Sequence, residues 1–276
     1  MDIDIGEIGS HVSDANGFHL PQFFGHLPDL PKWTICGHEF QLTKFMVLEV
    51  VVAVLLIAFF FPLARRVRGG QLVKGRFWNM LEAFLTYLRN EVIIPSVGKS
   101  AASRYTPFLW TLFFFILGCN LMGMLPWCGS PTGNISVTAV LALITYLVVI
   151  GGGMLKQGLF KYWFHQVPKM DLPLALSIFL KPMIFVIEVA GNGIKHVVLA
   201  IRLLANMFAG HVVLAVFLAF ISASAGGLLV LWIGVTSGSV LMSVALSCLE
   251  LFVAFLQAYI FMFLAAIFIG MAQHQH

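Results

Sequence analysis

Charged and amide side chains interrupt the apolar second half of this 276-residue chain at regular intervals. One group, which we call the charged row, follows steps of four, three, seven and four residues: Glu188, Asn192, Lys195, Arg202 and Asn206. Glu250 and Gln257, seven residues apart, form a second group. Seven residues make nearly two helical turns, so each group lies on one face of a helix. A charge inside a membrane segment costs about 2.5–3.5 kcal/mol on insertion scales, so each of these residues by default marks a functional site.

Arg202 stands in the stretch LAIRLLANMFAG without an acidic neighbour. Glu188 shares its face, but fourteen residues separate the two, which is about 21 Å along a helix. Glu250, on the next helix, is one candidate partner and would form a structural salt bridge. The alternative is a carboxylate on another protein chain, which requires the charged row to face outward.

The composition is that of a polytopic membrane protein. Hydrophobic residues make up 60% of the chain and charged residues 10%, and the mean hydropathy is +0.95, more than a soluble domain needs for its core. The four cysteines have neither CxxC nor metal-ligand spacing, and no GxxxxGK[ST] phosphate loop is present. We therefore expect no cofactor, no metal and no nucleic-acid partner.

The fold class predicted is an all-α polytopic membrane protein with about five transmembrane helices. A span needs about 20 helical residues, and five apolar stretches qualify: 45–64, 107–127, 135–155, 171–221 and 228–271. The last two are too long to stand upright, so they are expected to be tilted, broken or both, and antiparallel across the AGG turn at 225–227. The break points suggested by residue type are Pro182, Gly191, Gly193, Gly234 and Gly238.

The basic residues set the predicted orientation. Arg65, Arg66 and Arg68 end the first span, and Lys156 follows the third, so the positive-inside rule puts both places in the cytoplasm. Residues 1–41 then form an external N-terminal tail, 42–276 the membrane domain, and the C-terminus is cytoplasmic. The tail has neither a basic signal region nor an Arg-rich transit pattern, which favours a bacterial plasma (inner) membrane.

Residues 76–98 predict an amphipathic helix between the first two spans. Its apolar residues recur at steps of four and three, at Phe77, Leu81, Phe84, Leu88 and Val92. We expect this helix to lie on the cytoplasmic membrane surface. Packing against another subunit is the alternative.

Four stretches carry a resemblance to a known family: IRLLANMFAG, ELFVAFLQAYIFMFLAAIFIGMA, NLMGMLP at 120–126 and GNISVTAVLAL at 133–143. Over residues 78–272 the chain closely resembles subunit a of the F-type ATP synthases. The resemblance implies a non-catalytic stator subunit that forms two aqueous half-channels against a rotating ring of c subunits. It also implies subunit b of the peripheral stalk, the rest of the complex and the lipid bilayer as partners.

The resemblance assigns proton-translocation roles residue by residue. The family's arginine facing the ring carboxylate matches Arg202, its asparagine and glutamine match Asn206 and Gln257, and its exit-side glutamate and lysine match Glu188 and Lys195. Many bacterial relatives have Glu nine residues after the arginine and His seven before the glutamine, whereas here they are His211 and Glu250. The titratable pair is kept with its sides exchanged. A serine of some relatives is Val198 here.

The register of an antiparallel helix pair supports these assignments. A register that sets Arg202 level with Gln257 also sets His211 nearly level with Glu250. His211 is nevertheless nine residues, about 180°, from Arg202, so a long side chain, a strong crossing angle or bound water must connect the pair. With the predicted orientation, protons enter by His211 and Glu250 from outside and leave near Glu188.

Other residues and other functions remain open from the sequence. His196 fits packing, water contact or a channel, and Asn120 and Asn134 are expected to cap or bridge helices. A secondary transporter also uses broken helices and intramembrane charges, but it predicts an internal repeat that we do not find. A membrane enzyme would need a motif such as HExxH or GxSxG, and neither occurs.

Overall fold

The computed structural model describes residues 32–35, 38–41, 43–68, 75–125, 131–158, 174–224 and 229–274. Its helices are, in order, α1 (Lys44–Arg68), α2 (Arg76–Tyr87), a π-helical segment (Leu88–Ile93), α3 (Ile94–Val97), α4 (Lys99–Gly123), α5 (Ile135–Gln157), α6 (Leu174–Ser224) and α7 (Leu229–His274). Within these residues, α1, α4, α5, α6 and α7 are each long and apolar enough to cross a membrane. The predicted all-α polytopic class with about five transmembrane helices is confirmed.

The two long C-terminal helices are unbroken, so the predicted break points are wrong. α6 runs for 51 residues through positions 182, 191 and 193, and α7 runs for 46 residues through 234 and 238. A break would leave backbone N–H and C=O groups without partners in an apolar medium, at several kcal/mol each. A helical glycine costs only about 1 kcal/mol relative to alanine and a helical proline about 3 kcal/mol, so continuing the helix costs less free energy than leaving several backbone groups open.

The first 41 residues contain structure that the all-α expectation did not include. Lys32–Ile35 and His38–Gln41 form a two-stranded antiparallel hairpin, β1 and β2, in which Trp33 pairs with Phe40. Residues 1–31, with His11, His19 and His26, lie outside the described residues, as does the predicted turn at 225–227.

The amphipathic segment is helical as predicted but contains a π-helical segment between α2 and α3. Its buried side chains advance by four, three and four residues, then by one and by four: Leu81, Leu85, Leu88, Val92, Ile93 and Val97. The single step falls inside the π segment, whose wider turn accommodates one extra residue. The Phe84 ring lies 5.7 Å from that of Phe113 in α4, so part of the apolar side packs within this chain, while Phe77 stays 52% exposed.

The chain forms two compact units. The first contains the described parts of Met1–Arg65, Phe114–Thr138 and Arg202–Ala258. In it, α1 and α4 approach closely, because a Cβ at position 118 would lie 2.8 Å from Val52 Cγ1, and the rings of Phe60 and Phe114 are 4.8 Å apart.

The second unit contains the described parts of Arg66–Phe113, Ala139–Ile201 and Tyr259–His276. Gln273 Nε2 donates to Tyr105 Oη (2.9 Å) and to the carbonyl of Gly152 (3.0 Å). Lys156 Nζ donates to the carbonyl of Gln273 at 2.6 Å, where a cation also complements the C-terminal end of the α7 dipole. These bonds join α4, α5 and α7.

Candidate functional site

Asn206 of α6 and Gln257 of α7 are joined by a direct hydrogen bond. Asn206 Nδ2 donates to Gln257 Oε1 at 2.8 Å. Gln257 is 1% exposed, and its Nε2 group has no hydrogen-bond partner among the described residues. A buried amide with an open donor is ready to bind a further polar group, because leaving such a donor unpaired costs about 1–3 kcal/mol.

Glu250 lies against the backbone of Gly210 in the same unit. Its Oε1 atom is 2.7 Å from the point that a Cβ of residue 210 would occupy, and its Cδ atom is 3.0 Å from that point. The side chain of Glu250 is 7% exposed. The missing side chain of Gly210 is therefore what lets the buried carboxylate reach α6.

These two contacts give the register of the helix pair. The residue number increases along α6 from 206 to 210, while that of the contacting residue on α7 decreases from 257 to 250. The helices are therefore antiparallel, as predicted. The residue in contact with Gln257 is Asn206, whereas the sequence argument set Arg202 level with it. The contact of Glu250 with Gly210 agrees to within one residue with the predicted level of Glu250 with His211, while the hydrogen bond from Gln257 goes to Asn206, one turn along α6 from Arg202.

Arg202 is an exposed residue of the first unit. It has no hydrogen-bond or ion-pair partner among the described side chains, and Glu250 is one of those side chains. The intrachain salt bridge between Arg202 and Glu250 is therefore not formed. The exposed guanidinium matches the expectation that Arg202 faces outward, whereas Asn206, in the same row, is bonded to Gln257 of α7.

The predicted site residues Glu188 and His211 lie on α6, and so does Asn192. For these three residues the structure describes the helical backbone but not the side chain. Whether His211 meets Glu250 stays a prediction, although its neighbour Gly210 is the residue that Glu250 contacts.

Lys195 and His196 belong to the second unit. Lys195 is exposed, and its Nζ atom lies 6.0 Å from the centre of the Phe268 ring, at the outer limit of a cation–π contact. The buried His196 ring lies between Tyr146 and Phe268, with 5.0 Å to each ring centre. This aromatic environment supports the packing interpretation of His196.

Asn120 bridges three segments of the first unit, as the sequence predicted for it. Its Nδ2 group donates to the carbonyl of Ala254 (3.2 Å), and its Oδ1 atom accepts from Thr132 Oγ1 (2.7 Å). All three residues are fully buried. Asn134 acts as a helix cap, since the Ser136 N–H donates to its Oδ1 at 2.9 Å.

Sequence reasoning missed Gly210 and Thr132 as parts of this arrangement. Gly210 has no side chain to attract attention, and its only signal is a glycine inside a helix, where glycine is unfavourable without a packing reason. Thr132 lies in a 3₁₀ turn, Pro131–Gly133, and nothing in its local sequence indicates the contact with Asn120.

The fold and the site together define a polytopic helical membrane protein whose last two helices carry an exposed arginine, a part-buried amide pair one turn away and a buried carboxyl group. Residues 46–270 match the model of the family described as ATP synthase A chain. The chain is 36% identical over 262 residues to ATP synthase subunit a of Myxococcus xanthus, covering 95% of this chain and 82% of that protein. It is 35% identical over 268 residues to ATP synthase subunit a 2 of Chlorobaculum tepidum, covering 95% and 71% of the two chains.

A third relative, ATP synthase subunit a of Anaeromyxobacter dehalogenans, is 38% identical over 213 residues, with coverage of 76% of this chain and 53% of that protein. The chain therefore belongs to the family of ATP synthase subunit a. It is an integral membrane protein.

Proposed function

We propose that this chain is the proton-translocating stator subunit of the membrane sector of an F-type ATP synthase. It forms two aqueous half-channels that load and unload the carboxylates of a c-subunit ring, and so couples proton flow to ring rotation and ATP synthesis. The observation that carries the proposal is the exposed Arg202, which has no side-chain partner among the described residues and lies one helical turn from the Asn206–Gln257 hydrogen bond.

A fixed guanidinium suits the boundary between two half-channels. A ring carboxylate that arrives opposite Arg202 is stabilised in its ionised form, so it releases its proton and cannot carry it directly across. At 4 Å and an effective dielectric constant near 20 the attraction is on the order of 4 kcal/mol, which holds the carboxylate briefly yet lets the ring turn. Arginine stays charged in such a site, whereas a buried lysine can lose its proton.

The amide pair beside Arg202 gives the site a defined polar surface. The bond from Asn206 fixes the orientation of the Gln257 amide, and the second N–H of the part-buried Asn206 amide remains for a carboxylate oxygen. Hydrogen bonds that a carboxylate accepts also favour its ionised form. Asn206 and Gln257 thus reinforce the charge effect of Arg202.

The external half-channel is assigned to His211 and Glu250, and the cytoplasmic one to Glu188 and Lys195. The contact of Glu250 with Gly210, beside His211, supports the first assignment. The exposure of Lys195 supports the second. Membrane potential supplies about 2.3 kcal/mol per charge per 100 mV, so several protons must act together for each ATP.

The proposed setting follows from this role. The chain assembles with the c-subunit ring, subunit b of the peripheral stalk and the rest of the complex in a bacterial inner membrane, with its N-terminus outside and its C-terminus in the cytoplasm. Catalysis takes place on other subunits, since this sequence contains no phosphate-binding loop.

The test is Arg202→Lys in membrane vesicles that contain the whole complex. We expect the variant complex to assemble but to lose ATP-driven proton pumping, because lysine can deprotonate at this place. Ile201→Val is the matched control, since it alters an equally outward, 51% exposed neighbour without changing charge. Full pumping by Arg202→Lys, or equal loss in both variants, would contradict the proposed role of the guanidinium.

A further inference from the structure

The N-terminal half of α7 carries four hydroxyl side chains on the helix face that leads to Glu250. They recur at steps of three, four and four residues, and Glu250 follows three residues later. We call them the hydroxyl face: Thr236, Ser239, Ser243 and Ser247. All five side chains fall within a sector of about 80° around the helix axis. From Thr236 to Glu250 the face extends about 21 Å.

Two of these hydroxyls lack the bond that a helix normally supplies. Serine and threonine in a helix can satisfy themselves by donating to the carbonyl four residues earlier. Thr106, Thr145 and Ser247 do so, at 2.7, 2.9 and 2.9 Å. Thr236 Oγ1 and Ser243 Oγ are shielded from solvent and have no hydrogen-bond partner among the described residues.

The same side of α7 carries a second sign of a missing polar ligand. Gln257, two turns beyond Glu250, is almost completely buried, and its Nε2 donor is also unpaired among the described residues. Ser239, between the two open hydroxyls, is 6% exposed. Buried polar atoms that the protein leaves open are usually satisfied by water, provided that several such atoms lie close together.

We propose that the two open hydroxyls of this face, those of Thr236 and Ser243, line the external half-channel and bind the water molecules that bring protons to Glu250. This inference rests on the proposed function. It assigns residues to the external half-channel and names the ligand that they bind, which is water or hydronium. Each hydroxyl accepts a hydrogen bond from one water and donates one to the next. When a proton arrives, an O–H bond forms at the Glu250 carboxylate as an O–H bond of the last hydronium breaks, so no other reactant is needed.

Passive proton conduction through vesicles stripped of the catalytic sector tests the proposal. The double variant Thr236→Val with Ser243→Ala removes both open hydroxyls while changing little volume. We expect about a fivefold fall in conduction, the effect of losing hydrogen bonds worth about 1 kcal/mol. Ser247→Ala is the matched control, since that hydroxyl is satisfied within the helix, and it should change conduction less than twofold. Thr236→Ser with Ser243→Thr, which retains both hydroxyls, should conduct faster than the double variant that removes them.

A thiol test distinguishes a water path from a structural effect. In a chain whose four cysteines are replaced by alanine, Ser243→Cys should react with a water-soluble methanethiosulfonate reagent, because thiols react as thiolates in contact with water. Leu241→Cys lies at the same depth on the opposite side of α7, where the native side chain is 74% exposed in the chain. Because this side faces lipid, the thiol should not react with the reagent.

The outcomes separate two failures. A parent complex that conducts no protons overturns the proposed function and this inference with it. A conducting parent for which the double variant matches Ser247→Ala overturns only the inference. A thiol at 243 that reacts no faster than one at 241 overturns it as well.

Discussion

Glu250 occupies the space that any side chain at position 210 would need. Its Oε1 atom stands 2.7 Å from the ideal Cβ position of Gly210, closer than nonbonded atoms tolerate. The carboxylate and the glycine therefore form a unit, in which one residue supplies the chemistry and the other supplies the room.

Gly210→Ala should displace the Glu250 carboxylate and lower proton conduction about tenfold, since moving a side chain off its preferred rotamer costs about 0.5–1.5 kcal/mol. Gly238→Ala is the control, because nothing lies within 4 Å of its added methyl group. Conduction in vesicles with equal amounts of assembled complex is the measurement. Adding Glu250→Asp to Gly210→Ala should recover part of the rate by shortening the side chain; no loss in Gly210→Ala would contradict the contact.

Asn206→Leu should destabilise the complex by about 1–3 kcal/mol, because the buried Gln257 Oε1 atom then loses its donor. Gln257→Met removes the other partner, and combining the two substitutions leaves an apolar pair. We expect the double variant to be more stable than the sum of the single effects by about 1 kcal/mol, measured by thermal inactivation of the purified complex. Strict additivity would mean that the bond contributes nothing.

Asn120→Leu should reduce the amount of assembled complex, because it removes both the donor to the Ala254 carbonyl and the acceptor for Thr132. Asn120→Asp keeps the acceptor and removes only the donor, so it should fall between the parent and Asn120→Leu. Quantifying the chain in the isolated complex by immunoblot is sufficient. If Asn120→Asp and Asn120→Leu are equally harmful, the donor bond to Ala254 carries the whole effect.

In the second unit, Gly152→Ala should be destabilising by about 1–3 kcal/mol, since its added methyl group would overlap the hydroxyl of Tyr105. Gly151 is the adjacent control: a Cβ there meets nothing within 4 Å, so Gly151→Ala should be neutral or stabilising by up to about 1 kcal/mol. Protease resistance on heating separates the two variants. Adding Tyr105→Phe to Gly152→Ala should restore part of the lost stability. If it does not, the added methyl group clashes with a group other than the Tyr105 hydroxyl.

Hydropathy alone was enough to predict the membrane helices, because about 20 apolar residues in a row have few other uses. The polar side of the amphipathic segment was equally predictable from the sequence: Asn79, Glu82 and Arg89 are exposed, while Leu81 and Leu88 are buried. The hydrogen-bond partner of Gln257 was not predictable in the same way. Periodicity gives the face of a helix but not which side chains bond across a helix pair, and Gln257 bonds to Asn206 and not to Arg202.

Features that depend on absent atoms were beyond sequence reasoning. Gly210 matters because of the side chain that it lacks, and the open hydroxyls of Thr236 and Ser243 matter because of bonds they do not make. The predicted breaks are wrong because glycine and proline weaken a helix by less than a membrane penalises an open backbone.

The π-helical segment Leu88–Ile93 determines where the amphipathic segment can lose a residue. Burial runs in one phase up to Val92 and in a phase advanced by one residue from Ile93 onward. Deleting Ile93 would turn the wide turn into an ordinary one and bring Val97 back to the phase of Leu88 and Val92. The same deletion inside α4 would rotate every later residue of that helix by about 100°. The amphipathic segment thus contains one place where the chain can lose a residue and keep its buried side.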